Sequence, residues 1–200
     1  MAPVARLCST NAGKLRELRA ALPGWEIELL DTADYPPEVG ETYYENARGK
    51  ADFGRTVERG LWVIGEDSGI EVSGLDGRPG VHSARFGGDD PVGRLLAELH
   101  GVADRRARYV CEIVALDPDG GEHRGTGMLE GRIVDEPRGN EGFGYDPIFA
   151  PDGGARTVAE LGDAWKRTHS HRARAAAALA AAAPQDRQPA ARKVTPSNDT

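Results

Sequence analysis

At 200 residues with 39% hydrophobic side chains, the chain suits one α/β domain of ordinary size, or two small lobes sharing a cleft, and is too apolar for global disorder. A net charge of −7 excludes a sequence-independent nucleic-acid binder, which needs a basic surface, but leaves room for a polyanionic ligand where lysines and arginines converge beside a divalent cation. No apolar run approaches the ~20 residues that span a bilayer, no signal-peptide core opens the chain, and Cys8 and Cys111 each sit in apolar surroundings, so a cytoplasmic protein with buried, reduced thiols is expected.

Residues 4–9 read as a short first strand, followed by Asn11 as the N-cap of a helix that places Leu15, Leu18 and Leu22 on one face. Trp25, Ile27 and Leu29 alternate with Glu26 and Glu28, the pattern of a half-buried strand. A second helix is expected over roughly residues 41–59. The apolar run Leu61-Trp62-Val63-Ile64 predicts a buried strand that stops at Gly65-Glu66-Asp67-Ser68-Gly69. Asp90-Pro91 marks a third helix, with Val92, Leu95, Leu96 and Leu99 turned to the core. Residues 109–116 form the clearest strand, joined through a hairpin turn at 117–121 to a partner over 123–129. A last helix is expected over residues 170–183. Residues 184–200 hold no aromatic side chain and one bulky aliphatic, and are read as a disordered tail behind a domain of residues 1–183. Glycine is abundant, 26 residues against an average near 7%, mostly between Gly65 and Gly154, where ligand-cradling loops are expected.

Several familiar motifs fail on spacing. Ser9-Thr10-Asn11-Ala12-Gly13-Lys14 lacks the first glycine and the final Ser or Thr of a P-loop. Gly139 to Gly144 does not match the dinucleotide fingerprint, and Ser68 stands one place too late for a nucleophile elbow. His169 and His171, two apart at a helix start, fit capping or ligand contact better than metal binding.

Five segments remain. Thr10 to Lys14 lies at a strand-to-helix junction, where free N–H groups, the helix dipole and a lysine attract phosphate; it also fits a plain capped helix. Glu38, Glu41 and Glu45 accompany Asn46 and Lys50, which share a helix face four residues apart; alone this is an ordinary solvated face. Glu66 and Asp67 follow an apolar strand, so both carboxylates are expected at its C-terminal edge, where α/β sheets bind ligands. With no cysteine or histidine cluster nearby, they suit a hard cation such as Mg²⁺. Gly142-Phe143-Gly144-Tyr145-Asp146 interleaves aromatics with glycines, fit to stack on a flat base. Lys166 and Ser170-His171-Arg172 border the first turn of the last helix.

In this order, the stretches STNAGKLRE, ETYYENARGKA, EDSGIEV with GRPGVHSARF, GFGYDPIF and TVAEL ending in SHR resemble the inosine-triphosphate/xanthosine-triphosphate pyrophosphatase family. The resemblance implies an elongated α/β fold with a central mixed β-sheet flanked by helices, two lobes around an active-site cleft, and a homodimer. It implies Mg²⁺-dependent hydrolysis of ITP, dITP and XTP to the monophosphate and pyrophosphate, with no nucleic-acid or membrane partner. Carried over residue by residue, it makes Asp67 the general base and Glu38 and Asp67 the metal ligands. Substrate contacts would come from Ser9, Thr10, Asn11, Ala12, Gly13, Lys14, Lys50, Ser68, Phe143, Gly144, Tyr145, Asp146, Lys166, His171 and Arg172. Departures from the family pattern are Glu66 for a common Asp, His82 for Tyr, Trp165 for Glu, and a shortened stretch between Phe86 and Leu95. Two other readings fit the same residues less well: a pyrophosphatase for modified pyrimidine or methylated nucleotides, and a sensor that binds triphosphates without cleaving them.

Overall fold

The computed structural model describes residues 2–32 and 34–183; the tail expected over residues 184–200 lies outside them. Among the described residues the chain forms β1 (Val4–Leu7), α1 (Ala12–Ala21), β2 (Glu26–Leu29), α2 (Tyr43–Val57), β3 (Trp62–Val72), α3 (Pro91–Glu98), β4 (Arg106–Leu116), β5 (Glu122–Ile133), β6 (Phe149–Pro151), α4 (Val158–His169) and α5 (His171–Ala182). Helix starts follow capping chemistry. Asn11 accepts from the N–H groups of Gly13 and Lys14, Asp90 caps α3 ahead of Pro91, and Thr42 with Glu45 closes a capping box on α2. In the β4–β5 hairpin, Asp117 Oδ1 accepts from the N–H groups of Asp119 and Gly121, which fixes the turn.

The strands make one sheet in the order β2-β1-β3-β4-β5-β6, parallel on the β2-β1-β3 side and antiparallel across β3-β4-β5-β6. The expected mixed sheet flanked by helices is therefore present. Helices α1 and α5 cover one face over Leu7, Leu18, Ile64, Ile113 and Leu179, while α2 covers the other over Ala47, Ala51, Val63 and Val114. Beyond them, α3 and β6 close a further apolar cluster around Ile70, Leu95, Leu99, Tyr109 and Phe149. No helix among the described residues is long and apolar enough to cross a membrane.

Two expectations need correction. β3 does not stop at Gly65-Glu66-Asp67-Ser68-Gly69 but runs through it to Val72. β1 pairs only as far as Leu7 with Ile64, whereas β4 pairs with β3 from Val63 to Val72, and that continuous antiparallel partner satisfies the backbone of the polar segment. The carboxylates thus lie mid-strand, just past the end of β1. The glycines also divide differently from expectation. A Cβ on Gly65 would fall 1.9 Å from the Ala47 carbonyl oxygen, and one on Gly125 or Gly127 would fall 2.1 Å from Ala175 O or His171 O. These glycines let α2 and the alanine-rich α5 lie directly on the sheet. Helix α4 has no counterpart among the sequence-predicted elements; Gly162, at φ 82° and ψ 174°, interrupts it and masks its periodicity.

Gly65→Ala gains a few tenths to ~1 kcal/mol by restricting the unfolded chain, but the clash with rigid backbone outweighs it. We expect a net loss of about 3 kcal/mol in urea unfolding. An unchanged midpoint would remove the claim that this glycine sets the α2–β3 distance.

Candidate active site

Side chains alternate across a strand, so neighbouring Glu66 and Asp67 point to opposite faces of β3. The expectation that both serve one edge is thereby replaced by a division of labour. On the α2 face, Asp67 Oδ1 accepts from Lys50 Nζ at 2.9 Å and Oδ2 from Asn46 Nδ2 at 3.1 Å. Lys50 Nζ also reaches Glu38 Oε1 at 2.5 Å and the Glu66 carbonyl at 3.0 Å. The helical spacing of Asn46 and Lys50 thus does what the sequence suggested, and one ammonium joins Glu38 and Asp67 from separate segments. Glu45 belongs instead to the α2 capping box, and Glu41 is exposed.

On the opposite face the Glu66 carboxylate is completely buried. It receives Lys14 Nζ from α1 at 2.7 Å, Arg172 NH2 from α5 at 2.9 Å, Arg172 Nε at 3.2 Å and the Cys111 thiol at 3.3 Å. Arg172 also donates to Ser68 Oγ at 2.8 Å and pairs with Glu17, which in turn meets Lys166. Lys166 Nζ lies 2.6 Å from Asp146 Oδ2 and 4.7 Å from the centre of the Phe143 ring. Asp146 further accepts from the Phe143 N–H at 2.9 Å and the Tyr109 hydroxyl at 3.2 Å, folding the Gly142-Phe143-Gly144-Tyr145 loop around itself. A Cβ on Gly13 would touch the Phe143 ring at 3.0 Å, so the aromatic loop rests against the start of α1.

Electrostatics separate the acids. Burial pushes Glu66 up, but the Arg172 and Lys14 charges overcome it and hold the carboxyl well below the usual range. Burial raises Asp67, and Lys50 only partly offsets that. Asp146 is likewise raised by burial against the pull of Lys166. Glu38 is lowered, because its hydrogen bond and charge contact with Lys50, joined by Lys14 and Arg85, outweigh burial. His171 is driven well below its ordinary value by burial and by Arg172. It is a neutral imidazole stacked on Tyr109 at 4.5 Å between centroids, with a buried Nδ1 that has no partner among the described residues.

The expected residues fall into two networks, Glu38, Lys50 and Asp67 on the α2 side of β3 and Lys14, Ser68, Phe143, Asp146, Lys166 and Arg172 on the other, with His171 stacked on Tyr109. Ser9, Thr10, Asn11 and Ala12 lead into α1, and the Asn11 side chain already takes the N–H groups of Gly13 and Lys14, leaving fewer first-turn donors than expected. Gly144 is exposed, at φ 62°. Tyr145 is buried, and its hydroxyl donates to the Ser83 carbonyl at 3.1 Å, so Phe143 is the more accessible ring. Glu17 was not singled out from sequence and Cys111 was expected only as a buried, reduced thiol, which it is; nothing local in α1 or β4 signals their contacts with Arg172 and Glu66. A cavity of about 340 Å³ bordered by Tyr43, Glu71 and Arg78 shares no residue with this network.

A family model described as the Ham1 family matches residues 5–182. The chain belongs to the Ham1 family. It is similar to the dITP/XTP pyrophosphatase of Deinococcus deserti, 46% identical over 86% of this chain and 85% of the relative. The dITP/XTP pyrophosphatase of Symbiobacterium thermophilum is 48% identical over 86% and 90%. Among solved structures, the Staphylococcus aureus Ham1 protein matches with TM-score 0.78 and 34% identity, covering 89% of this chain and 96% of that one. A nucleoside-triphosphatase, dITP/XTP pyrophosphatase, from Mycobacterium abscessus gives TM-score 0.69 and 38% identity over 88% and 97%.

Removing one partner of a buried ion pair costs ~3–5 kcal/mol, so Glu66→Gln should destabilise this Ham1-family fold by about that much near neutral pH. The folded carboxyl titrates below its unfolded value of ~4.3, so its contribution is complete above roughly pH 5 and fades as pH falls through the folded value. The gap between wild type and variant in denaturant unfolding should therefore narrow from pH 7 to pH 3; a constant gap would contradict the assignment.

Proposed function

We propose that the chain is a Mg²⁺-dependent nucleoside-triphosphate pyrophosphatase acting on the deaminated purine nucleotides ITP, dITP and XTP. The observation that carries this reading is the junction of Glu38, Lys50 and Asp67 beside the N-terminus of α1. The names of the curated relatives support the substrate class.

The donor set fits the metal. Glu38 and Asp67 offer only hard carboxylate oxygens, and both already converge on a cation, the Lys50 ammonium. Among the described residues no group of three or more His, Cys, Asp and Glu gathers at one point. That suits Mg²⁺, which commonly takes one or two carboxylates and completes its shell with substrate phosphates and water. Glu38 and Asp67 would hold Mg²⁺, which would supply positive charge to phosphate oxygens and lower the pKa of water.

The chain's own residues do the rest. Asp67, aligned by Asn46 and Lys50, accepts the proton of the water that attacks the α-phosphorus, and the bond to the pyrophosphate oxygen breaks. Lys14 and Lys50 offset charge on the departing pyrophosphate. Phe143 stacks on the base. Every guanidinium nitrogen of Arg172 donates to Glu66, Glu17 or Ser68, which fixes its plane, and its remaining N–H joins loop backbone N–H groups as donors to the purine 6-keto oxygen. Adenine presents an amino group at that position, so donor faces donor. A homodimer is part of the same reading and rests on the resemblance, while a cytoplasmic location rests on the sequence expectation above.

Pyrophosphate release from dITP and XTP in magnesium, compared with dATP and modified pyrimidine triphosphates, tests the substrate class. Binding of dITP without turnover would favour the sensor reading instead. Asp67→Asn should lower kcat by about 10²-fold or more. In the absence of magnesium the Asp67 carboxyl should titrate above the ordinary ~3.9 of aspartate, because burial outweighs Lys50, and side-chain NMR checks this direction. Near-normal turnover by Asp67→Asn would refute its role.

A further inference from the structure

The paired cations of the site leave none to spare. Glu17, Glu38, Glu66, Asp67 and Asp146 outnumber Lys14, Lys50, Lys166 and Arg172, and each of these cations is already paired to one or more of those acids. A nucleoside triphosphate brings further negative charge to the same place. Arg85 borders the site and differs from the other cations. Its NH1 donates to the Glu38 main-chain carbonyl at 3.1 Å and its charge acts on the Glu38 carboxylate, but among the described residues it forms no direct ion pair. The side chain is exposed, so the remaining guanidinium donors face solvent next to the Glu38–Lys50 pair.

The support beneath Arg85 is firm. Ser83 is buried; its Oγ accepts from the Ile70 N–H at 2.9 Å and donates to the Gly80 carbonyl at 2.6 Å, fastening the segment to β3. The Tyr145 hydroxyl bonds the Ser83 carbonyl, and the Arg85 N–H bonds the His82 carbonyl at 2.9 Å, so the segment is also tied to the Phe143 loop. A planar guanidinium with free parallel donors on a fixed support matches phosphate oxygens, which it can grip in pairs.

We propose that Arg85 is a further substrate-binding residue, which contacts the phosphate chain of the nucleotide and retains a contact with the pyrophosphate product. The proposal rests on the pyrophosphatase reading for its substrate, but it is tested by binding as well as by turnover. The full chain and its Arg85→Met and Arg85→Lys variants would be titrated calorimetrically with inorganic pyrophosphate and, separately, with dIMP, both in magnesium chloride. Because Arg85 is exposed, the variants should keep the wild-type unfolding midpoint.

Arg85→Met should weaken pyrophosphate binding by about tenfold or more, the range for a charged hydrogen bond, and raise the KM for dITP comparably. Binding of dIMP should change much less, and Arg85→Lys should recover part of the loss. Unchanged pyrophosphate affinity in Arg85→Met, no pyrophosphate binding by the wild type, or equal weakening for pyrophosphate and dIMP would each overturn the proposal; the last would mean a distorted site. If the wild type fails to hydrolyse dITP yet binds pyrophosphate through Arg85, the enzymatic reading falls and this one stands.

Discussion

A single carboxylate, fully buried at Glu66, holds the two helix starts of the site together. Lys14 comes from the first turn of α1 and Arg172 from the first turn of α5, and both charges end on the same group. Taking a carboxylate out of water costs several kcal/mol, which only well-directed countercharges and hydrogen bonds offset. Glu66 has two cations and a thiol. Cys111 is fully buried, and burial together with the Glu66 charge keeps its thiol protonated, so it stays a donor rather than a second anion. Glu17 of α1 adds a second tie by pairing with Arg172, and Glu66 fixes where Lys14 and Arg172 meet above β3.

The parity of β3 then separates positioning from chemistry. Glu66 turns toward α1 and α5, where cations outweigh burial and its pKa falls. Asp67 turns toward α2, where one lysine and one amide only partly offset burial, and its pKa rises. Adjacent carboxyl groups thereby acquire opposite properties from their surroundings alone. The lowered acid is suited to anchoring cations, and the raised one to the proton-accepting role proposed for it. Truncation of β1 at Leu7 is what opens room beside them, because no strand covers β3 on that side beyond Ile64.

Local patterns in the sequence carried much of this. Asn11, Asp90 and Ser170 announced their helices, the alternation around Ile27 announced a strand, and the four-residue spacing of Asn46 and Lys50 foretold a shared face. What stayed hidden depends on partners distant along the chain. Glu17 looks like any exposed helix glutamate until α4 and α5 fold over it. Gly65, Gly125 and Gly127 read as loop formers, since only the helix lying on each one reveals the need for close approach. The polar run after Ile64 looked like a turn because the long hairpin partner that keeps it extended comes more than forty residues later.

The balance of charge also bears on which form of the ligand the site accepts. Its acids and cations nearly cancel before anything binds, so a bare triphosphate would meet carboxylates at Glu38 and Asp67 with little net attraction. Lys14 can turn toward phosphate only by giving up part of its contact with Glu66, and Lys50 by giving up part of its contact with Glu38 and Asp67. A divalent cation arriving with the nucleotide changes that exchange. Glu38 and Asp67 would hold such a cation in place of the Lys50 ammonium, and on the proposed reading Lys50 and Lys14 would then be free to turn to phosphate while Arg172 keeps its contact with Glu66. On the proposed reading, the same acids that would repel a free polyanion would favour its magnesium complex, and the ion pairs present before binding would act as placeholders for the substrate's own countercharge.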